Sequence, residues 1–211
     1  MDLILPLAET YAATYSSAED ALLQQINRQT QAHPKAHMLS GHIQGKFLEL
    51  LSLLHKPRRI LEIGSFTGYS ALCLAKGLVA DGKLYTIELR EEDAAVARQN
   101  FNLSDANDKI ILHIGNAREI IPALDEDWDL VFIDADKTGY IDYYELVMPR
   151  LKKGGIVLAD NVLFHGEVLE EPPKGKNAKA MQAFNEYIQQ DERVEQVVLT
   201  VRDGLMLIFK K

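Results

Sequence analysis

One cysteine, Cys73, rules out an intrachain disulfide, and its apolar helical setting suits a buried structural thiol. Basic runs are also missing. With 23 Lys and Arg against 31 Asp and Glu, a net charge of −8 and no stripe that could release phosphate counterions, nucleic acid is a poor expected partner. No apolar run reaches membrane-spanning length, and Met1-Asp2-Leu3-Ile4-Leu5-Pro6 lacks the basic region and apolar core of a secretory signal. The expectation is a soluble, cytoplasmic protein that meets no membrane. Repeats and low-complexity segments are absent too, so 211 residues with 47% apolar content suit one domain with a sizeable core.

What the chain does have is apolar runs that end in acid. Trp128-Asp129-Leu130-Val131-Phe132-Ile133 leads into Asp134-Ala135-Asp136-Lys137, and Gly155-Ile156-Val157-Leu158-Ala159 leads into Asp160-Asn161. Continuous branched and aromatic residues are what a parallel strand covered on both faces requires, and open α/β sheets bind ligands at the carboxyl ends of such strands. Strands are expected at Arg59 to Ile63, Leu84 to Glu88, Lys109 to Ile114, Leu130 to Asp134 and Ile156 to Asp160, with helical crossovers between them. After a helix around Ala178 to Gln190, the runs Val194 to Val201 and Leu205 to Phe209 flank Arg202-Asp203-Gly204, a hairpin signal. The predicted fold is α/β, a seven-stranded, mostly parallel, doubly wound sheet with an antiparallel C-terminal hairpin. Residues 57–211 form this core.

Residues 1–56 read as N-terminal helices of the same domain that cover the mouth of the site. Ser17-Ala18-Glu19-Asp20 resembles a capping box ahead of Leu22, Leu23 and Ile26, and Pro34 ends that helix. Phe47, Leu48, Leu50, Leu51 and Leu54 predict the apolar face of the next.

Two groups of polar residues carry chemistry. The turn Leu61-Glu62-Ile63-Gly64-Ser65-Phe66-Thr67-Gly68-Tyr69-Ser70 passes from strand to helix through glycines spaced G-x-x-x-G, unlike the dinucleotide pattern, and Glu62 would repel a pyrophosphate. An acid there suits an ammonium group. Glu88, ending the second strand, stands where such folds hydrogen-bond ribose hydroxyls, and ammonium plus ribose describes S-adenosylmethionine (SAM). Asn116-Ala117 either meets an adenine at the same edge or places Asn116 as a helix cap. At the other end, Asp134, Asp160 and Asn161 form an all-oxygen set suited to a hard divalent cation, Mg²⁺ first, with Ca²⁺ and Mn²⁺ as alternatives. Lys137, three residues past Asp134, is placed to act as a general base, because a nearby cation disfavours its protonated form. His165 reads as a loop histidine and Trp128 as core.

Taken together, these blocks resemble the cation-dependent SAM O-methyltransferases of the catechol and caffeoyl-coenzyme A type, over nearly the whole chain. The motifs are Leu61 to Ser70, Phe132-Ile133-Asp134-Ala135-Asp136-Lys137, Asp160-Asn161-Val162-Leu163 and Asp203-Gly204-Leu205. The resemblance implies a Rossmann-like methyltransferase domain in which Ser40, Glu62, Gly64, Ser65, Ser70, Glu88, Ala117 and Asp136 contact SAM. It further implies that Asp134, Asp160 and Asn161 hold the metal, that Lys137 is the base, and that the protein is a homodimer. Asn116 stands where many members carry an acid, and Phe164-His165 where plant members carry Trp and Asn. The acceptor implied is an aromatic compound with adjacent hydroxyls. Rival readings are methylation of 5-hydroxyuridine in tRNA, a non-catalytic SAM-binding protein, and a nicotinamide-dependent dehydrogenase, which leaves Asp160-Asn161 unexplained.

Overall fold

Alternation along three apolar strands separates the molecule into layers. The strands are β1 (Arg59–Ile63), β2 (Lys83–Glu88), β3 (Ile110–Ile114), β4 (Trp128–Ile133), β5 (Leu151–Asp160), β6 (Val194–Leu199) and β7 (Leu205–Lys210) in the computed structural model, which describes residues 4–211. Met1, Asp2 and Leu3 of the N-terminal reading lie outside the described residues. Leu61, Ile63, Val131, Ile133, Val157 and Ala159 enter one apolar cluster, while Ile60, Leu130, Phe132, Ile156 and Leu158 enter another. Side chains alternate across a strand, so two clusters require two covered faces.

Helices α1 (Pro6–Tyr15), α2 (Ala21–Gln31), α3 (Gly41–His55), α4 (Tyr69–Ala75), α5 (Glu91–Asn102), α6 (Ala117–Ile120), α7 (Tyr140–Val147) and α8 (Lys176–Gln189) complete the described elements. Tyr140, Tyr144 and Val147 of α7 and Met181, Phe184 and Ile188 of α8 fill the first cluster. Leu23 and Ile26 of α2, Leu48 of α3 and every residue of α4 except Ser70 serve the second, so α2 and α3 share a core with the sheet.

The strand order is β3-β2-β1-β4-β5-β7-β6, with β7 antiparallel to both of its neighbours. Chain order reverses between β1 and β4, which pair in parallel, and this is the crevice where open α/β sheets receive ligands. Gly64 and Asp134 follow directly on these two strands. A Cβ on Gly64, whose φ is +100°, would lie 1.9 Å from the Asp134 carbonyl oxygen. Only glycine lets the two chains approach so closely.

Three local expectations are corrected. The N-cap of α2 is Asp20, whose carboxylate accepts the Leu23 N–H at 2.9 Å; Ser17 lies too far upstream to cap. The buried side of α3 is Gln44, Gly45, Leu48 and Ser52, whereas Leu50 and Leu54 are 52% and 81% exposed. Small residues chose that side: a Cβ on Gly45 would come within 2.6 Å of the Tyr69 ring, and one on Gly77 within 2.1 Å of Ser52 backbone. Boundaries also moved, since β4 ends at Ile133 and β5 begins at Leu151. Among the described residues no helix is long and apolar enough to cross a membrane.

Candidate active site

A cavity of about 640 Å³ opens over the carboxyl ends of β1, β2, β4 and β5, within the range of small-molecule sites. Every residue implicated by sequence lines it except Glu62. Ser40 enters from the segment before α3, Gly64 and Ser65 from the turn after β1, Ser70 from the start of α4, and Glu88 from the end of β2. Ala117 begins α6, Asp160 ends β5, and Asp134, Asp136, Lys137 and Asn161 lie just past β4 and β5.

The glycine turn is tied to Glu88. Its Oε2 accepts the Phe66 N–H at 2.7 Å and its Oε1 the Arg90 N–H at 3.0 Å, so this acid holds the loop as well as facing the cavity. Glu62 lies behind the wall, fully buried, with Oε2 accepting the Thr86 hydroxyl at 2.5 Å and Oε1 without a partner. Burial pushes its carboxyl up to about 8, against the pull of Thr86, and the charges of Asp134 and Glu88 push the same way. Ser65 Oγ is likewise buried and unpartnered. Asn116 caps α6, its side chain accepting the Arg118 N–H at 3.1 Å, so of its two expected roles the structure displays the cap. Asp136 accepts hydrogen bonds from the Tyr143 hydroxyl and, at 3.2 Å, from Thr138.

At the other end Lys137 gathers the acids. Its Nζ lies 3.1 Å from Asp134 Oδ1, 2.7 Å from Asn161 Oδ1 and 2.8 Å from the buried Tyr140 hydroxyl, which in turn donates to the Asp160 carbonyl at 2.9 Å. Burial pulls the Lys137 ammonium down, but Tyr140, Asp134 and Asp160 outweigh it and raise its pKa above the ordinary lysine value. The fall expected from sequence therefore requires a further positive charge; the chain's own groups push the other way. Asp160 is buried, and desolvation together with the Asp134 charge lifts it to about 6 despite Lys137, Gln44 and Arg202. Its Oδ2 accepts Gln44 Nε2 at 2.6 Å, and its Oδ1 the Asn161 N–H at 2.8 Å.

The donor types suit a hard cation, since Asp134, Asp160 and Asn161 offer two carboxylates and an amide oxygen without sulfur or imidazole. Among the described residues no three His, Cys, Asp or Glu side chains cluster as a metal cage; the third oxygen here belongs to an amide. For SAM the fit rests on the unpartnered buried oxygens of Glu62 and Ser65 beside a turn that begins and ends in glycine.

Sequence reasoning missed Gln44, Tyr140, Arg202 and the contacts of Asp203. Gln44 was discoverable as the polar residue one turn before Leu48 on α3, had the Gly45 and Ser52 stripe been chosen as the buried side. Asp203 was absorbed into the hairpin signal. Arg202 donates to the Ser40 carbonyl at 2.5 Å and the Gln44 carboxamide oxygen at 3.3 Å, a contact across 162 residues that no local pattern announces. His165 lines the cavity with its side chain 68% exposed, and Trp128 is core.

Residues 13–211 match the O-methyltransferase family. The catechol O-methyltransferase of Niastella koreensis is 33% identical over 92% of this chain and 91% of its own length. Caffeoyl-CoA O-methyltransferase 1 of Eucalyptus globulus is 32% identical over 88% of this chain and 80% of its own. Among solved structures, the SAH-bound methyltransferase PaMTH1 of Podospora anserina superposes with a TM-score of 0.89 at 28% identity, covering 99% of this chain and 98% of that one. The O-methyltransferase TomG of Streptomyces achromogenes, in complex with SAM, gives 0.85 at 30% identity over 97% and 96%. With the glycine turn, the paired acids and Lys137 at one sheet edge, these matches place the chain in the O-methyltransferase family.

Proposed function

We propose that the protein transfers the methyl group of SAM to one of two adjacent hydroxyls on a catechol-like or caffeoyl-type aromatic acceptor, with a divalent cation, Mg²⁺ first, and Lys137 as general base. The observation that carries this reading is the meeting of Asp134 and Asn161 on Lys137, whose Nζ lies 3.1 Å from Asp134 Oδ1 and 2.7 Å from Asn161 Oδ1 in the wall of the cavity. SAM supplies an activated methyl on a cationic sulfur, and a divalent cation supplies charge that lowers the pKa of a phenol and of a neighbouring ammonium.

The remaining work falls to the chain. Ser40, Gly64, Ser65, Ser70, Glu88, Ala117 and Asp136 bind and orient SAM from the cavity wall, and Glu62 acts from behind the turn. Asp134, Asp160 and Asn161 hold the cation. Lys137 Nζ takes the acceptor proton, and Tyr140, accepting from that nitrogen at 2.8 Å, keeps it facing the acids. Because phenolate and sulfonium neutralise each other as the methyl moves, charge becomes more dispersed and an oxyanion hole would help little. The acceleration comes from near-attack geometry with water excluded. Phe164 and His165, at the cavity rim, flank the acceptor.

A homodimer, cytoplasmic in location, belongs to the same reading. It would cover the exposed Leu7, Tyr11 and Tyr15, which recur every four residues along α1. Sedimentation of the purified chain tests it, a dimer supporting the reading and a monomer at micromolar concentration opposing it. The activity is tested by offering a catechol, a caffeoyl ester and hydroxyuridine-bearing RNA with labelled SAM and Mg²⁺. Label in the catechol or caffeoyl ester is expected; label in the RNA alone moves the assignment to nucleic acid, and none in any of the three leaves a SAM-binding protein.

A further inference from the structure

We propose that Asp203 is a positioning residue that fixes which end of the Asn161 carboxamide faces the cation site, an inference that rests on reading Asn161 as a cation ligand. An asparagine side chain presents an acceptor at one end and two donors at the other, and the two ends have nearly the same shape. Packing therefore selects weakly between them, and hydrogen-bond partners must decide. Here Asn161 Nδ2 donates to Asp203 Oδ2 at 3.1 Å, while Asn161 Oδ1 accepts from Lys137 Nζ at 2.7 Å. A carboxylate only accepts and an ammonium only donates. Turning the amide over would set NH₂ against NH₃⁺ on one side and oxygen against oxygen on the other.

A carboxylate is needed because the residue has two donors to satisfy. Asp203 Oδ1 accepts the backbone N–H of His165 at 2.5 Å while Oδ2 takes Asn161. An asparagine at 203 could offer oxygen to only one of these donors and would turn an NH₂ towards the other. Asn161, Phe164 and His165 all have positive φ, at 59°, 42° and 56°. Residues without glycine's freedom hold such conformations only when surrounding contacts fix them. One turn supplies two of those contacts, Val162 N–H donating to the Gly204 carbonyl at 3.1 Å and Leu163 N–H to the Asp203 carbonyl at 3.0 Å, and Asn185 Nδ2 of α8 donates to the Val162 carbonyl at 2.9 Å. A Cβ on Gly204, at φ +83°, would lie 2.5 Å from Leu163 Cγ, so the hairpin turn and the strained loop are built against each other. The turn between β6 and β7 thus serves as a template for the loop that carries a cation ligand, with Asp203 as its side-chain contact.

A double-mutant cycle separates this role from the general attraction of one more negative charge. Mn²⁺ affinity is measured by calorimetry and electron paramagnetic resonance for wild type, Asp203→Asn, Asn161→Ala and the double variant, with SAH affinity and thermal midpoint recorded for each. In the Asn161 background, Asp203→Asn is expected to weaken Mn²⁺ by about 10- to 100-fold, the usual cost of losing a partner that orients a ligand, with SAH affinity within about twofold. In the Asn161→Ala background the same change should cost less than about twofold, since residues acting through one another are non-additive. An equal loss in both backgrounds would show a long-range charge effect, and no loss in the first would remove the role; either overturns the proposal. If wild type binds neither Mn²⁺ nor Mg²⁺, the cation reading fails separately. The amide's orientation is still read by nuclear magnetic resonance from the Asn161 side-chain NH₂ pair, identified by its loss in Asn161→Ala. Slow solvent exchange of that pair in wild type that becomes fast in Asp203→Asn supports the proposal, and unchanged protection contradicts it.

Discussion

Glu62 and Asp160 are the two most deeply buried acids at the working edge of the sheet, and they are treated differently. Glu62 accepts from Thr86 and has one orphaned oxygen, and burial drives it up to about 8 against the pull of the Thr86 and Ser70 hydroxyls. Asp160 is as fully enclosed, yet Gln44 and the Asn161 N–H serve both oxygens, Lys137 and Arg202 add favourable charge, and it rises only to about 6. Burial sets the direction for both, and neighbours set the extent. The neighbours of Asp160 favour its charged form, whereas Glu62, behind the glycine turn, is held towards neutrality.

The largest effect should come from breaking the charged end. Asp134→Ala or Asp160→Ala is expected to abolish turnover together with its cation dependence, measured by methyl transfer to a catechol across Mg²⁺ concentrations. Lys137→Ala should lower kcat by about 10²- to 10⁴-fold, the usual worth of a general base, while leaving the SAM dissociation constant within about twofold. Unchanged turnover would remove Lys137 as base.

Removing single donors puts the same question to both acids. Gln44→Ala and Thr86→Val each strip a buried carboxylate of a hydrogen bond, at a cost of about 1–3 kcal/mol in urea unfolding. The comparison requires Gln44→Ala to weaken Mg²⁺ binding and Thr86→Val to leave it within twofold. If both variants weaken Mg²⁺ equally, the division between the two ends is wrong.

A smaller effect appears as a pH slope. Glu62 titrates near 4.5 when unfolded and about 8 when folded, so between these values the native state retains a proton the unfolded state has lost. Stability of the ligand-free protein therefore falls as pH rises from about 5 to about 8 through this group. Glu62→Gln removes that contribution, and its midpoint advantage over wild type should grow across the window. An advantage that stays constant, or shrinks, would mean Glu62 ionises in its ordinary range. Least of all should change in Leu54→Ser, far from either acid and 81% exposed, with monomer stability shifting by less than about 0.5 kcal/mol.

Strands and their polar ends were legible because both signals are local: a buried parallel strand is a continuous apolar run, and Glu88, Asp134 and Asp160 mark where three of them stop. Hairpin and crossovers followed from spacing. The side of α3 that packs was not legible, since its leucines outnumber its small residues and the choice belonged to Tyr69 and Cys73 across the interface. The partners of the acids were hidden for the same reason. Gln44 reaches Asp160 across 116 residues and Asp203 reaches Asn161 across 42, distances over which only the folded sheet brings side chains together.

Cation-dependent methyl transfer at this edge of the sheet is tested directly by one chelation experiment. Purified protein is given labelled SAM and a catechol in Mg²⁺, then in excess chelator, then with Mg²⁺ restored. Turnover that disappears with the chelator and returns with the metal is the predicted result; full turnover in the chelator would contradict the account.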